Sequence, residues 1–203
     1  MAWYKCSGGS PQPQPQVTQF RYIKMSITKV NGANMMQFSE LGFRDNSGNN
    51  FTFPASMTAT SSMPPYATSE TVDKLFDGNT STKLCISFPS GSTEEVTIDF
   101  GEGNYLDITQ YPYYYWCSGN DQASRDPETW KLYGANQGNF SDKVLLDDVK
   151  YLRNCSGRSV EAYCAKMMSD GYLTVPPEGL LVCSGSMDYI NTPIEIVEYT
   201  VVS

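Results

Sequence analysis

At 203 residues the chain suits one domain with extensions or two very small domains, and its core is large enough to be self-sufficient. A net charge of −8 without any basic run excludes the cationic footprint that nucleic acids and anionic membranes require. The absence of histidine removes Ser-His-Asp and Cys-His nucleophile systems and His-ligated zinc.

Residues 1–16 read as a flexible arm. The opening "MAWYKCSGGSPQPQPQ" lacks the apolar run of a secretory signal, so no export address is expected. Alternating Pro-Gln favours extended polyproline geometry, which makes 7–16 a spacer. Trp3 and Tyr4, ahead of it, are either a loose tip or a peg that inserts into a partner. From Phe20 the pattern has period two, with Ile23, Met25 and Ile27 on one face and Tyr22, Lys24, Ser26, Thr28 and Val30 on the other, which predicts a strand. "VNGAN" (30–34) is a turn, and "MMQFSELGFRD" (35–45) a second strand. A Ser/Thr/Pro-rich loop follows, then "SETVDKLF", one helical turn with Ser69 as its N-cap.

Further strands are predicted at "EEVTIDFG" (94–101), where Val96, Ile98 and Phe100 alternate, and at "LDITQYPYYYW" (106–116). Pro112 marks the latter as an edge or a bulge. Along "YPYYYW" either Tyr113 and Tyr115 face out while Tyr114 and Trp116 face in, or the reverse. "ETWKLYGAN" (128–136) is another strand, with Trp130, Leu132 and Gly134 inward. Beyond Val149 the texture changes. Val160, Cys164, Met167 and Met168 recur at helical spacing, so 159–171 is predicted to be a helix closed by Gly171. Short strands then surround a Pro-Pro-Glu-Gly turn, and "IEIVEYTVV" (194–202) is the last. The element count predicts an all-β antiparallel sandwich or barrel. The six cysteines (Cys6, Cys85, Cys117, Cys155, Cys164 and Cys183) form no CxxC pair and show no zinc spacing. Reduced, mostly buried thiols are expected.

Three segments occur together in a characteristic order: "KLFDGNTSTKL" (74–84), "VTIDFGEG" (96–103) and "SRDPETWKLYGANQGNF" (124–140). With "RYIKMSITKVNGANMMQFSELGF" (21–43) they resemble the discoidin, or coagulation factor type C, domain, over about residues 20–148. That family is a galactose-binding-like jelly-roll β-sandwich. The resemblance implies a sandwich over 17–148, the arm 1–16 before it, and a small C-terminal extension over 149–203. The strand pair that usually closes such a domain comes first here, which implies a circular permutation; Leu84-Cys85 stand where the family often has tryptophan. The arm, the spacer and the early "FRYIKMSITK" strand are also similar in texture to phage and prophage virion proteins of tails, fibres and heads.

The resemblance implies a structural calcium at the DGN loop. Calcium takes hard oxygens from carboxylates, carbonyls and hydroxyls. Asp77 and Glu40 would give carboxylates, Lys74 and Asn79 backbone carbonyls, and Thr82 a hydroxyl and a carbonyl. The alternative is a plain Asp-Gly-Asn turn without metal. The loop is no EF-hand, because Phe88 stands twelfth from Asp77. In the family, sugar sites lie on loops at one end of the sandwich, which nominates Asn120, Asp121 and Arg125. For Arg125-Asp126-Pro127 the favoured reading is turn chemistry above a buried Trp130, which alone accounts for the order of these residues. The carboxylate pairs Glu94-Glu95 and Asp147-Asp148 are adjacent on strands, so each splits across two faces and cannot flank one glycosidic bond. The expectation is a non-catalytic virion protein made in the host cytoplasm. It would attach to host or mucosal glycans, bind other virion proteins through its arm, and assemble as a multivalent homo-oligomer. A purely structural decoration or fibre-anchoring protein is the competing reading.

Overall fold

A computed structural model describes residues 17–152 and 157–168. Every strand ladder is antiparallel, and the described chain holds no α-helix. The larger sheet runs in the order β11 (Val144–Val149), β10 (Pro127–Ala135), β2 (Tyr22–Val30), β7 (Glu94–Asp99) and β5 (Thr58–Ser61). Facing it is a three-stranded sheet of β12 (Glu161–Lys166), β9 (Tyr113–Cys117) and β4 (Glu40–Arg44). Two small ladders complete the β-sandwich: β3 (Met35–Phe38) with β6 (Leu84–Ser87), and β1 (Gln19–Phe20) with β8 (Leu106–Asp107).

Alternation in the sequence becomes alternation in burial. Ile23, Met25 and Ile27 on β2, Val96 and Ile98 on β7, and Trp130 and Leu132 on β10 are fully buried. They face Leu41, Phe43, Tyr114 and Trp116 from the smaller sheet, and burying such side chains stabilises by about 1.5–3 kcal/mol each. Of the two orientations open to the aromatic run, Tyr114 and Trp116 take the inner face, with Tyr113 and Tyr115 half-buried on the outer one. Trp116 meets Trp130 edge to face at 5.8 Å. Trp130 Nε1–H donates to the Tyr114 hydroxyl at 2.9 Å, and the Tyr114 and Tyr163 hydroxyls donate to buried Asp147 at 2.6 and 2.8 Å. Burial first, then Tyr163 and Asp147, pushes the Tyr114 pKa well up, so the phenol keeps its proton and remains a donor. Gly134 does face inward: a Cβ there would lie 2.5 Å from the Phe20 ring, so only glycine lets that ring cross β10.

Four expected elements differ. Residues 161–166 form β12, paired with β9, where spacing predicted a helix over 159–171. The same stretch also alternates (Tyr163, Ala165, Met167), and pairing along an otherwise open edge of β9 outweighs local periodicity. The sandwich therefore draws a strand from beyond residue 148, whereas the rest of the expected extension, from 169 on, lies outside the described residues. The single strand over 35–45 is two strands. Buried Ser39 breaks it by donating to the Ser118 carbonyl at 2.8 Å, sending β3 to β6 and β4 to β9. The helical turn is a 3₁₀ turn over Val72–Leu75 with Thr71, not Ser69, in the N-cap position. Likewise the strand over 106–116 is interrupted before Pro112, leaving β8 and β9. Among the described residues Cys85, Cys117 and Cys164 are free thiols; burial pushes Cys85 up to about 11 and Cys117 to about 12.

Candidate functional site

The strand registers give the sandwich two ends. At one end lie the last residues of β2, β5, β9 and β11 and the first residues of β4, β7, β10 and β12. The loops 31–34, 62–83 and 118–126 gather there. Every nominated metal and sugar residue sits at this site end. Trp3 and Tyr4 lie outside the described residues.

Glu40 opens β4 opposite Cys117, and only 9% of it is exposed. Its Oε1 accepts the Asn79 N–H at 2.8 Å, and Asp77 Oδ1 accepts the same N–H at 3.0 Å. The two carboxylates thus converge on one amide although the chain separates them. Gly78 between Asp77 and Asn79 has φ +72°, the left-handed turn geometry that glycine adopts without steric cost. Thr82 Oγ1 lies 2.8 Å from Asp77 Oδ2 and 2.8 Å from the Asn79 carbonyl. Burial first, and nearby Asp77 with it, lifts the Glu40 pKa to about 7 against the pull of the Asn79 and Gly78 N–H groups.

Two carboxylates, a carbonyl and a hydroxyl form the donor chemistry of a hard cation, and their mutual repulsion favours positive charge between them. The residues therefore fit calcium in donor type. No group of three or more His, Cys, Asp or Glu side chains suited to a metal occurs among the described residues, so carbonyls and water would have to complete the shell. Lys74, for which the resemblance implied a carbonyl ligand, brings its ammonium 3.6 Å from Asp77 Oδ2 while lying 3.1 Å from Asp73.

Beside this clasp the second nominated group forms a chain of ion pairs. Asn120 Nδ2 donates to the Ser81 carbonyl at 2.9 Å and ties loop 118–126 to the DGN loop. Asp121 lies 2.8 Å from Lys83 Nζ and 3.4 Å from Arg125, whose guanidinium also reaches Gln37 Oε1 at 3.5 Å. Asp126 is fully buried and paired through both oxygens with Arg158, at 2.9 and 2.5 Å. Burial still raises its pKa despite Arg158. Lys83, Glu70, Gln37 and Arg158 escape a reading of the sequence because each depends on a loop brought in from elsewhere. The only signal was the position of Lys83 directly after the DGN loop.

The carboxylate pairs divide as strand geometry requires. Glu94 is buried and accepts from the Ser61 and Ser62 hydroxyls at 2.7 and 2.9 Å, while Glu95 turns outward to Lys24 at 2.8 Å. Asp147 faces the two tyrosines and Asp148 the surface lysines Lys131 and Lys150. The chain matches no family model, no curated protein and no solved structure.

Proposed function

We propose that this β-sandwich is a non-catalytic attachment module of the discoidin-like type, carried on a phage or prophage particle and binding a host or mucosal glycan. One observation carries the reading. All nominated site residues in the described chain fall at one end, whereas Val17 and Met168, the first and last described residues, lie at the other. Thr18 accepts from Ile108 N–H at 2.9 Å, and Met167 N–H donates to Pro112 at 2.7 Å, both beside β8 and the start of β9. A domain tethered on that side presents its loops outward. Calcium held by Glu40, Asp77, Asn79 and Thr82 would supply fixed positive charge that neutralises the clasp and stiffens the DGN loop. Weak single sites suffice on a multivalent particle, because avidity multiplies them.

The test uses the full chain on a glycan array with and without calcium, together with immunogold labelling of intact particles. Binding to glycans and label at a fibre, tail or head supports the proposal. Label on the particle with no glycan bound replaces it with the decoration or fibre-anchoring reading. No label on any particle removes the virion assignment.

A further inference from the structure

Asn120 and Ser81 stand 39 residues apart in the chain, yet the Asn120 amide donates to the Ser81 carbonyl at 2.9 Å. Ser81 lies inside the clasp turn, between Asn79 and Thr82. Its N–H donates to Asn79 Oδ1 at 3.1 Å, and the Thr82 N–H closes the turn on the Asn79 carbonyl at 2.9 Å. Lys83 follows directly and makes a second link. Its ammonium lies 2.8 Å from Asp121 Oδ1, and only 8% of the side chain is exposed. The DGN loop thus holds the side chains of both Asn120 and Asp121.

The rest of loop 118–126 is fastened by other parts of the sandwich. Gln37 donates to the Gln122 carbonyl at 3.2 Å and Arg158 to the Asp121 carbonyl at 3.1 Å. The Ala33 and Asn31 N–H groups donate to the Ser124 and Asp126 carbonyls, each at 3.1 Å. These bonds set the backbone path and involve no clasp residue. The Asn120 and Asp121 side chains, in contrast, depend on where Ser81 and Lys83 stand. Glu40 and Asp77 fix that position, because both accept from the one Asn79 N–H, at 2.8 and 3.0 Å. Two carboxylates crowding one amide repel each other when ionised; a divalent cation between them turns that repulsion into attraction and stiffens the turn.

We infer that cation occupancy of the clasp orders loop 118–126, and that Asn120 and Lys83 are the positioning residues that carry the effect. This rests on the calcium part of the reading above. Neither residue belongs to the clasp's donor set, so each acts only through the contact it makes between the loops. Coupling is reciprocal: the order that calcium gives the loop returns to calcium as affinity. A lost link therefore weakens both.

The test is hydrogen exchange read by mass spectrometry on the full chain, with calcium and with chelator, for wild type, Asn120→Ala and Lys83→Met. In wild type calcium should slow exchange over 77–82 and, by about fivefold, over 118–126. In each variant the slowing over 77–82 should persist, while that over 118–126 falls to roughly twofold or less. Titration calorimetry should show calcium affinity lowered about two- to fivefold in the same variants. Each variant's chelated state is its own baseline, so a loop that is merely loosened does not imitate lost coupling. Asn120 is exposed, which keeps its variant informative if Lys83→Met is unstable. Calcium protection confined to 77–82 in wild type overturns the coupling and leaves the clasp standing. Undiminished protection of 118–126 in the variants overturns the roles of Asn120 and Lys83. No calcium effect on either loop overturns both the coupling and the calcium site.

Discussion

The two ends of the sandwich are built from different chemistry. At the site end Glu40, Lys83, Glu94, Asp126 and Glu128 are buried, each held by a partner from another loop or strand. At the opposite end aromatic rings fill the space: Phe43, Phe51 and Phe100 contact one another at 5.5–6.2 Å, and Phe51 meets Tyr111 at 5.1 Å. Ring packing gains stability from buried area and from edge-to-face contact, with no charge to desolvate. Buried charge costs desolvation and repays it only when every partner is present. The contrast sets ring packing at one end against paired buried charge at the other, and the proposed binding role belongs to the second because conflict with local folding rules concentrates where proteins bind.

That division is broken most directly at the aromatic end. Phe43→Ala should cost about 4 kcal/mol in urea unfolding while leaving any calcium-induced rise in Tm unchanged. Loss of the calcium response there would show that the ends are coupled. At the site end Asp126→Ala removes the carboxylate that pairs with Arg158 through both oxygens and should cost about 3 kcal/mol, with loop 118–126 becoming more susceptible to proteolysis. A loss below about 0.5 kcal/mol would mean the pair is dispensable.

Glu40 gives a smaller effect with a definite sign. Its pKa rises from 4.5 to about 7 on folding, so the folded state holds the proton more tightly. Without metal, its contribution is most favourable below pH 4.5, declines between 4.5 and about 7, and is lowest above that. Glu40→Gln should therefore stabilise the metal-free protein by roughly 1–3 kcal/mol near pH 8 and do little near pH 4. It should also abolish any calcium-induced rise in Tm; a rise preserved in the variant would remove Glu40 from the metal site. The smallest stability change belongs to Tyr66→Ala, within about 0.5 kcal/mol by melting, because the ring is exposed. If that substitution lowers Tm strongly, the ring serves packing at the site end and the division of labour fails there.

Much of the framework was legible in advance. Strands β2, β7 and β10 follow from Ile23-Met25-Ile27, Val96-Ile98 and Trp130-Leu132, because a half-buried strand needs period-two apolarity. The turn at Asp77-Gly78-Asn79 follows from glycine's access to positive φ. Asn120, Asp121 and Arg125 were legible as polar loop residues, but their partners were not. Lys83 meets Asp121, and Arg158 meets Asp126, only after separate loops converge.

By itself, then, the sequence determined the period of β2, β7 and β10 and the turn at Asp77-Gly78-Asn79, properties of neighbours along the chain. Tertiary structure decided which edge each strand joins. It made 161–166 a strand beside β9 instead of a helix, and it split 35–45 at Ser39 between two sheets. It also folded Glu40 onto the Asn79 amide beside Asp77. Those outcomes depend on backbone hydrogen bonds and burial between distant segments, whose free energy exceeds any local preference and leaves no periodic trace in the residues themselves.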